Sequence, residues 1–174
     1  MEMRLGLLTS IFLLIFCACA QQPKDEPAKS KYKIPTAVGF VSDYEKNFSS
    51  AQKDSLRNLV EAFEKETGIE IAIATFDTTM VSKTDFNDFT LATANDWGVG
   101  KKDENNGILI GFSKGHRMIR INNGYGIEKL ISDEETQEIM NKYFISNFKK
   151  DLYFKGTFEG TKALEDLLKT KIKK

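Results

Sequence analysis

Beyond position 19 the chain has no cysteine, because both of its cysteines, Cys17 and Cys19, fall among its first twenty residues. A domain folded from the remainder has no disulfide, no thiol nucleophile and no cysteine-bound metal. Histidine is nearly absent as well. The single His116 excludes clustered-histidine metal centres and histidine relays. Net charge is lacking: 25 basic and 25 acidic residues sum to zero, so no basic face is on offer to a nucleic acid. Only three prolines occur, at positions 23, 27 and 35. There is no internal repeat. The one long apolar run, Leu5 to Phe16, is too short to span a bilayer as a mature helix.

That run is nevertheless informative. Arg4 precedes it, and Ala18 places a small residue directly before Cys19. The pattern reads as a lipoprotein signal over residues 1–18, with Cys19 as the lipidated residue; an uncleaved or ordinary secretory signal is the alternative. Cys17 is the weaker acceptor because bulky Phe16 precedes it. Residues 19–36 are polar and proline-bearing, which predicts a solvated tether. Within it Lys24-Asp25-Glu26 reads as a solvating charge cluster or as a sorting signal in a two-membrane bacterium. The expected address is the bacterial envelope, lipid-anchored to a membrane outside the cytoplasm. Residues 37–170 are long enough for one domain with its own core.

Within that domain, Val38 to Val41 is strand-like. Ser49 and Gln52 form a capping box ahead of Leu56, Leu59, Val60 and Phe63, a helical stripe that ends at Gly68. Ile69 to Phe76 is nearly all apolar, as expected of a central strand covered on both faces. A second helix is predicted from about Thr84 to Trp97. Ile108 to Phe112 and Arg117 to Asn122 form a hairpin across Ser113-Lys114-Gly115-His116. A second capping box, Ser132 with Glu135, starts a helix whose buried face carries Ile139, Met140, Tyr143, Phe144 and Phe148. A last helix spans roughly Thr157 to Lys169. The order predicts an α/β fold, a three-layer α/β/α sandwich with a mixed central sheet.

Strand 117–122 returns to the edge where strand 108–112 begins. Asp103-Glu104-Asn105-Asn106 therefore meets Asn122-Asn123-Gly124, with Glu128, Asp133 and Glu134 close behind. Carboxylate and amide oxygens so gathered suit Ca²⁺ or Mg²⁺. The residues equally allow two polar loops with capping asparagines and a helix-dipole pair at Asp133 and Glu134. Arg117 and Arg120 serve either as a phosphate clamp or as solvent-facing scaffold. Asp77-Thr78-Thr79 lacks the second acid of an aspartate-nucleophile loop, so Asp77 reads as a turn residue. His116 reads as an exposed turn residue. Phe144, Phe148, Tyr153, Phe154 and Phe158 read as core, with a partner groove as the other option.

Five segments together carry a family likeness: Val41-Ser42-Asp43-Tyr44, Glu66 to Ile71, Trp97-Gly98-Val99-Gly100, Asn105 to Leu109, and Arg120 to Glu128. In that order, over about residues 35 to 168, the chain resembles the TPM domain of thylakoid-lumen phosphatases, photosystem-repair proteins and bacterial membrane-attached proteins. The resemblance implies an α/β/α fold on the outer side of a membrane, with divalent cations in an acidic cleft. Carried over, the metal residues are Asp43, Asn105, Asn106, Glu128 and Asp133, with Glu104 as a neighbour. Asp43 sits at the opposite sheet edge in the topology above, so one site using all of them is not expected. Some plant members are reported as acid phosphatases. Two functions follow: an accessory or assembly factor for an envelope membrane complex, or a weak metal-dependent phosphomonoesterase.

Overall fold

The computed structural model describes residues 30–172, so Cys19, the signal and the charge cluster at 24–26 lie outside the described residues. Four strands form one sheet in the order β1 (Val41–Asp43), β2 (Glu70–Thr75), β3 (Gly107–Ser113), β4 (Met118–Asn123). The first three are parallel, and β4 returns antiparallel to β3. Alternation sorts the side chains. Ile71, Ile73, Ile108, Ile110 and Phe112 face one core, while Ala72, Ala74 and Leu109 face another.

Helix α1 (Ser50–Thr67) covers the first face with Leu56, Val60 and Phe63. Its start is set by the Ser49–Gln52 capping box and its end by Gly68 at φ 76°. Beside it lie α3 (Tyr125–Glu128), α4 (Asp133–Ile139), α5 (Ser146–Phe148) and α6 (Tyr153–Ile172). Helix α2 (Phe86–Trp97) covers the other face with Phe86 and Phe89. Three layers result, as the element order predicts.

Four expectations shift. The first strand begins at Val41, not Val38, whose side chain is 68% exposed. The tether expected up to Thr36 gives way earlier to packed chain. Tyr32 meets Phe89 edge-on at 5.6 Å, and the Trp97 indole donates to the Pro35 carbonyl at 2.7 Å. Helix α6 starts at Tyr153, a full turn before Thr157, because Gly156 lies under Phe148 and Gly160 under Phe144. Finally, a π-helical segment, Met140–Ile145, joins α4 to α5. Asn147 donates to the Tyr143 carbonyl at 2.7 Å across this wide turn. The aromatic group around Phe144 and Phe148 is core, with Phe112–Phe148 ring centres 4.9 Å apart.

Candidate functional site

The loop before β3 and the loop after β4 converge, and two glycines let their backbones touch. Gly124 donates to the Gly107 carbonyl at 2.8 Å and Gly126 to the Asn105 carbonyl at 2.9 Å. A Cβ at Gly124 would sit 2.3 Å from the Asn105 carbonyl oxygen, and one at Gly126 2.2 Å from that of Glu104. Only hydrogen fits there.

Above this junction a cleft of about 510 Å³ runs along the outer edge of β4, walled by α2 and α4. Asn105, Glu128 and Asp133, three of the six residues singled out for metal, line it. Asn122, Asn123, Arg120 and Tyr125 join them. Asn123 donates to the Thr136 hydroxyl at 3.1 Å, which leaves its Oδ1 buried and unpartnered. The Nδ2 of Asn122 is buried and unpartnered too. Such orphaned amide atoms cost free energy unless something else meets them. Arg120, Glu128 and Asp133 form no ion pair among the described residues. Sequence reasoning brings Asn122 and Asn123 to this edge but does not single them out as ligands. Their signal is an amide pair placed on opposite faces at a strand exit.

The other three residues are engaged elsewhere. Asn106 is buried: its Oδ1 accepts from the Lys101 N–H at 2.8 Å and its Nδ2 donates to the Gly68 carbonyl at 2.8 Å. Glu104 accepts from that same amide at 2.7 Å and pairs with Lys101 at 3.5 Å. Both hold the loop rather than face the cleft. Asp43 lies at the opposite end of the strands, as the topology predicts. Its Oδ1 accepts from the Thr75 hydroxyl at 2.6 Å and the Asn47 N–H at 3.0 Å, and its Oδ2 from the Phe48 N–H at 2.9 Å. One site using all six residues therefore does not form. Asp43 fixes the turn from β1 into α1. Asp43→Ala is expected to lower stability by about 2 kcal/mol while leaving binding in the cleft unchanged, as urea denaturation and a cation titration of the same variant will show.

At that same far edge Glu45 caps the hairpin, accepting from the Lys114 N–H at 2.8 Å and the Gly115 N–H at 3.1 Å. Arg117 belongs to this turn, with φ 55°, and does not line the cleft that Arg120 lines. His116 is half-buried, not exposed, with Nε2 2.8 Å from the Val81 carbonyl. Asp77 closes a turn: the Thr79 N–H and hydroxyl, at 2.9 and 2.7 Å, hold its carboxyl below the ordinary value.

Among the described residues no three histidine, cysteine, aspartate or glutamate side chains gather into a group able to hold a metal ion. The cleft offers two carboxylates and amide oxygens instead. With the orphaned Asn123 Oδ1, this donor set fits a hard, oxygen-seeking cation and not a soft one.

Comparison with known proteins adds family and fold. A family model for the TPM domain matches residues 41–167. No curated protein sequence matches the chain. Among solved structures, the N-terminal domain of a protein from P. gingivalis is 28% identical, with a TM-score of 0.69, covering 77% of this chain and 84% of that one. The BA42 protein of the psychrophilic bacterium Bizionia argentinensis is 18% identical, with a TM-score of 0.63, covering 73% and 85%. The N-terminal domain of the cg2496 protein of Corynebacterium glutamicum is 13% identical, with a TM-score of 0.58, covering 77% and 83%. At those identities the last two are alike in fold alone.

Proposed function

The chain belongs to the TPM domain family, and from that premise we propose that it is a lipid-anchored envelope protein whose β4 cleft holds Ca²⁺ or Mg²⁺ in an accessory or assembly role. Glu128 and Asp133 would supply the charge, and Asn123 and Asn105 neutral oxygens. The cation would neutralise the acidic end of the cleft and bring the loop before β3 and the start of α4 to a common centre. One observation carries this reading: the Asn123 Oδ1, buried without a partner, lies in the same lining as two carboxylates that form no ion pair. Anchoring rests on Cys19 and its signal, since among the described residues no helix is long and apolar enough to cross a membrane.

A site with two carboxylates and no closed cage belongs with the weaker extracellular cation modules, so the expected dissociation constant is about 10⁻⁴–10⁻³ M. Titration calorimetry with Ca²⁺ and Mg²⁺ tests this. Asp133→Asn and Glu128→Gln should each weaken binding about tenfold or more. Unchanged affinity in both variants would remove the cation from this cleft.

The phosphomonoesterase reading has one observation in its favour, Arg120 in the same lining. Against it, no histidine or cysteine lines the cleft to serve as nucleophile or as acid for the leaving group. The binding role is therefore the better supported. Turnover of a generic phosphate ester that disappears in the Glu128→Gln, Asp133→Asn double variant would reverse that order.

A further inference from the structure

Strand β4 is an edge strand, and its free side forms the floor of the cleft. The bond from Gly124 N–H to the Gly107 carbonyl sets the phase of the antiparallel ladder. Met118, Arg120 and Asn122 consequently turn their backbone groups toward β3. Ile119, Ile121 and Asn123 turn theirs outward, and no partner reaches these groups among the described residues. The opposite edge strand, β1, is only three residues long, a common way to blunt an edge. The six residues of β4 contain no proline; Ile121 and Asn122 are buried, while Met118, Ile119, Arg120 and Asn123 keep part of their surface in solvent. Exposed apolar side chains stand beside it, Leu91 on α2 (52% exposed) and Tyr125 (74% exposed).

We propose that this cleft binds an extended peptide segment of a partner protein, which adds to β4 as a fifth, antiparallel strand. The charges around the cleft specify the segment. Asn123 and Ile121 point to the α4 side, where Asp133, Thr136 and Met140 lie, and Arg120 points to the α2 side. An antiparallel peptide runs from the Asn123 end to the Arg120 end. It therefore presents, in order, a basic residue toward Asp133, any residue, an apolar residue beside Ile121 and Met140, and an acidic residue beside Arg120. Asp133 and Arg120 would each gain an ion-pair partner, which they lack among the described residues. Ile121 and Met140 already pack in the core and would extend it onto the segment. The orphaned amide atoms of Asn122 and Asn123 gain hydrogen-bonding groups from the same segment. The proposal shares the cleft with the cation but does not depend on it. A bound cation would replace the basic residue's contact with Asp133 and the segment's contact with the Asn123 Oδ1, and leave the backbone ladder and the Arg120 contact in place.

The test uses a fluorescent eight-residue peptide with lysine, threonine, valine and glutamate at its four central positions, titrated with the protein in EDTA and again with Ca²⁺. Binding is expected in EDTA, with amide NMR shifts at Ile119, Ile121 and Asn123. N-methylation of the peptide amides that face β4 should weaken it about tenfold or more. Arg120→Glu should weaken it similarly, and a peptide with arginine in place of its glutamate should restore affinity to that variant. N-methylated and plain peptides binding alike would overturn the proposal. So would shifts at Val41–Asp43 instead of β4, or no binding at millimolar peptide. A concentration-dependent dimer with the same three amides protected would assign the edge to a second copy of the chain and overturn it as well. Because the EDTA arm contains no cation, peptide binding and cation binding fail independently.

Discussion

Exchanging Glu165 for glutamine is expected to stabilise the protein by about 3 kcal/mol at pH 7 and above, and by almost nothing near pH 4.5. Glu165 is 4% exposed on α6, and its Oε1 has no partner. Thr161 and Thr157, one and two turns earlier on the same face, bury hydroxyls that are also unpartnered. Burial drives the Glu165 carboxyl up from the ordinary 4.5 to about 7; Lys169 and Lys162 oppose this, while Asp166 and Glu66 add to it. Lys169 is held by Glu66 at 2.5 Å rather than by Glu165. Between pH 4.5 and 7 the native chain keeps a proton that the unfolded chain releases, so stability falls as pH rises through that window and levels off above it. Urea denaturation of both proteins at several pH values isolates the effect, since other groups cancel in the difference. A difference that stays flat across the window would mean that the Glu165 carboxyl is solvated in the native chain.

The second large effect is expected from Gly126→Ala. Its new Cβ would press on the Glu104 carbonyl oxygen at 2.2 Å, a backbone atom with no rotamer to escape into. The 104–107 and 124–126 loops must then separate, and the Gly126 N–H to Asn105 bond is lost with them. Overpacking of this kind together with a lost hydrogen bond should cost about 3 kcal/mol, and cation binding in the folded fraction should fall with it. Gly98→Ala is the control. Its φ is 63°, yet nothing lies within 4 Å of a Cβ there, so only the backbone preference is lost, about 1 kcal/mol. Equal losses in the two variants would show that the loops are not in contact.

Much of the fold was legible because it is written locally. Two capping boxes, the αL glycine at 68 and the alternation of β2 and β3 each state their element without help from distant residues. The convergence of the 104–107 and 122–126 loops was legible too, since a hairpin must return to the edge it left. What escaped depends on partners far along the chain. Tyr32 and Pro35 look like tether until Phe89 and Trp97 are beside them. The early start of α6 depends on Phe148 and Phe144 filling the space over Gly156 and Gly160. The π-helical turn has no pattern of its own; it places Phe144 in the core while Asn147 satisfies a carbonyl. In the site, residue type alone could not separate Asp133, which lines the cleft, from Asp43, whose three hydrogen bonds shape a turn. Asn106 and Asn105 are adjacent, yet one ties down the loop and the other faces the cleft.

The cation in the β4 cleft is the central claim, and amide NMR during a Ca²⁺ titration addresses it most directly. Saturating shifts are predicted at Asn105, Asn123, Glu128 and Asp133, with Asp43 and Asp77 unmoved. Shifts centred on Asp43, or none anywhere up to about 10 mM Ca²⁺, would contradict it.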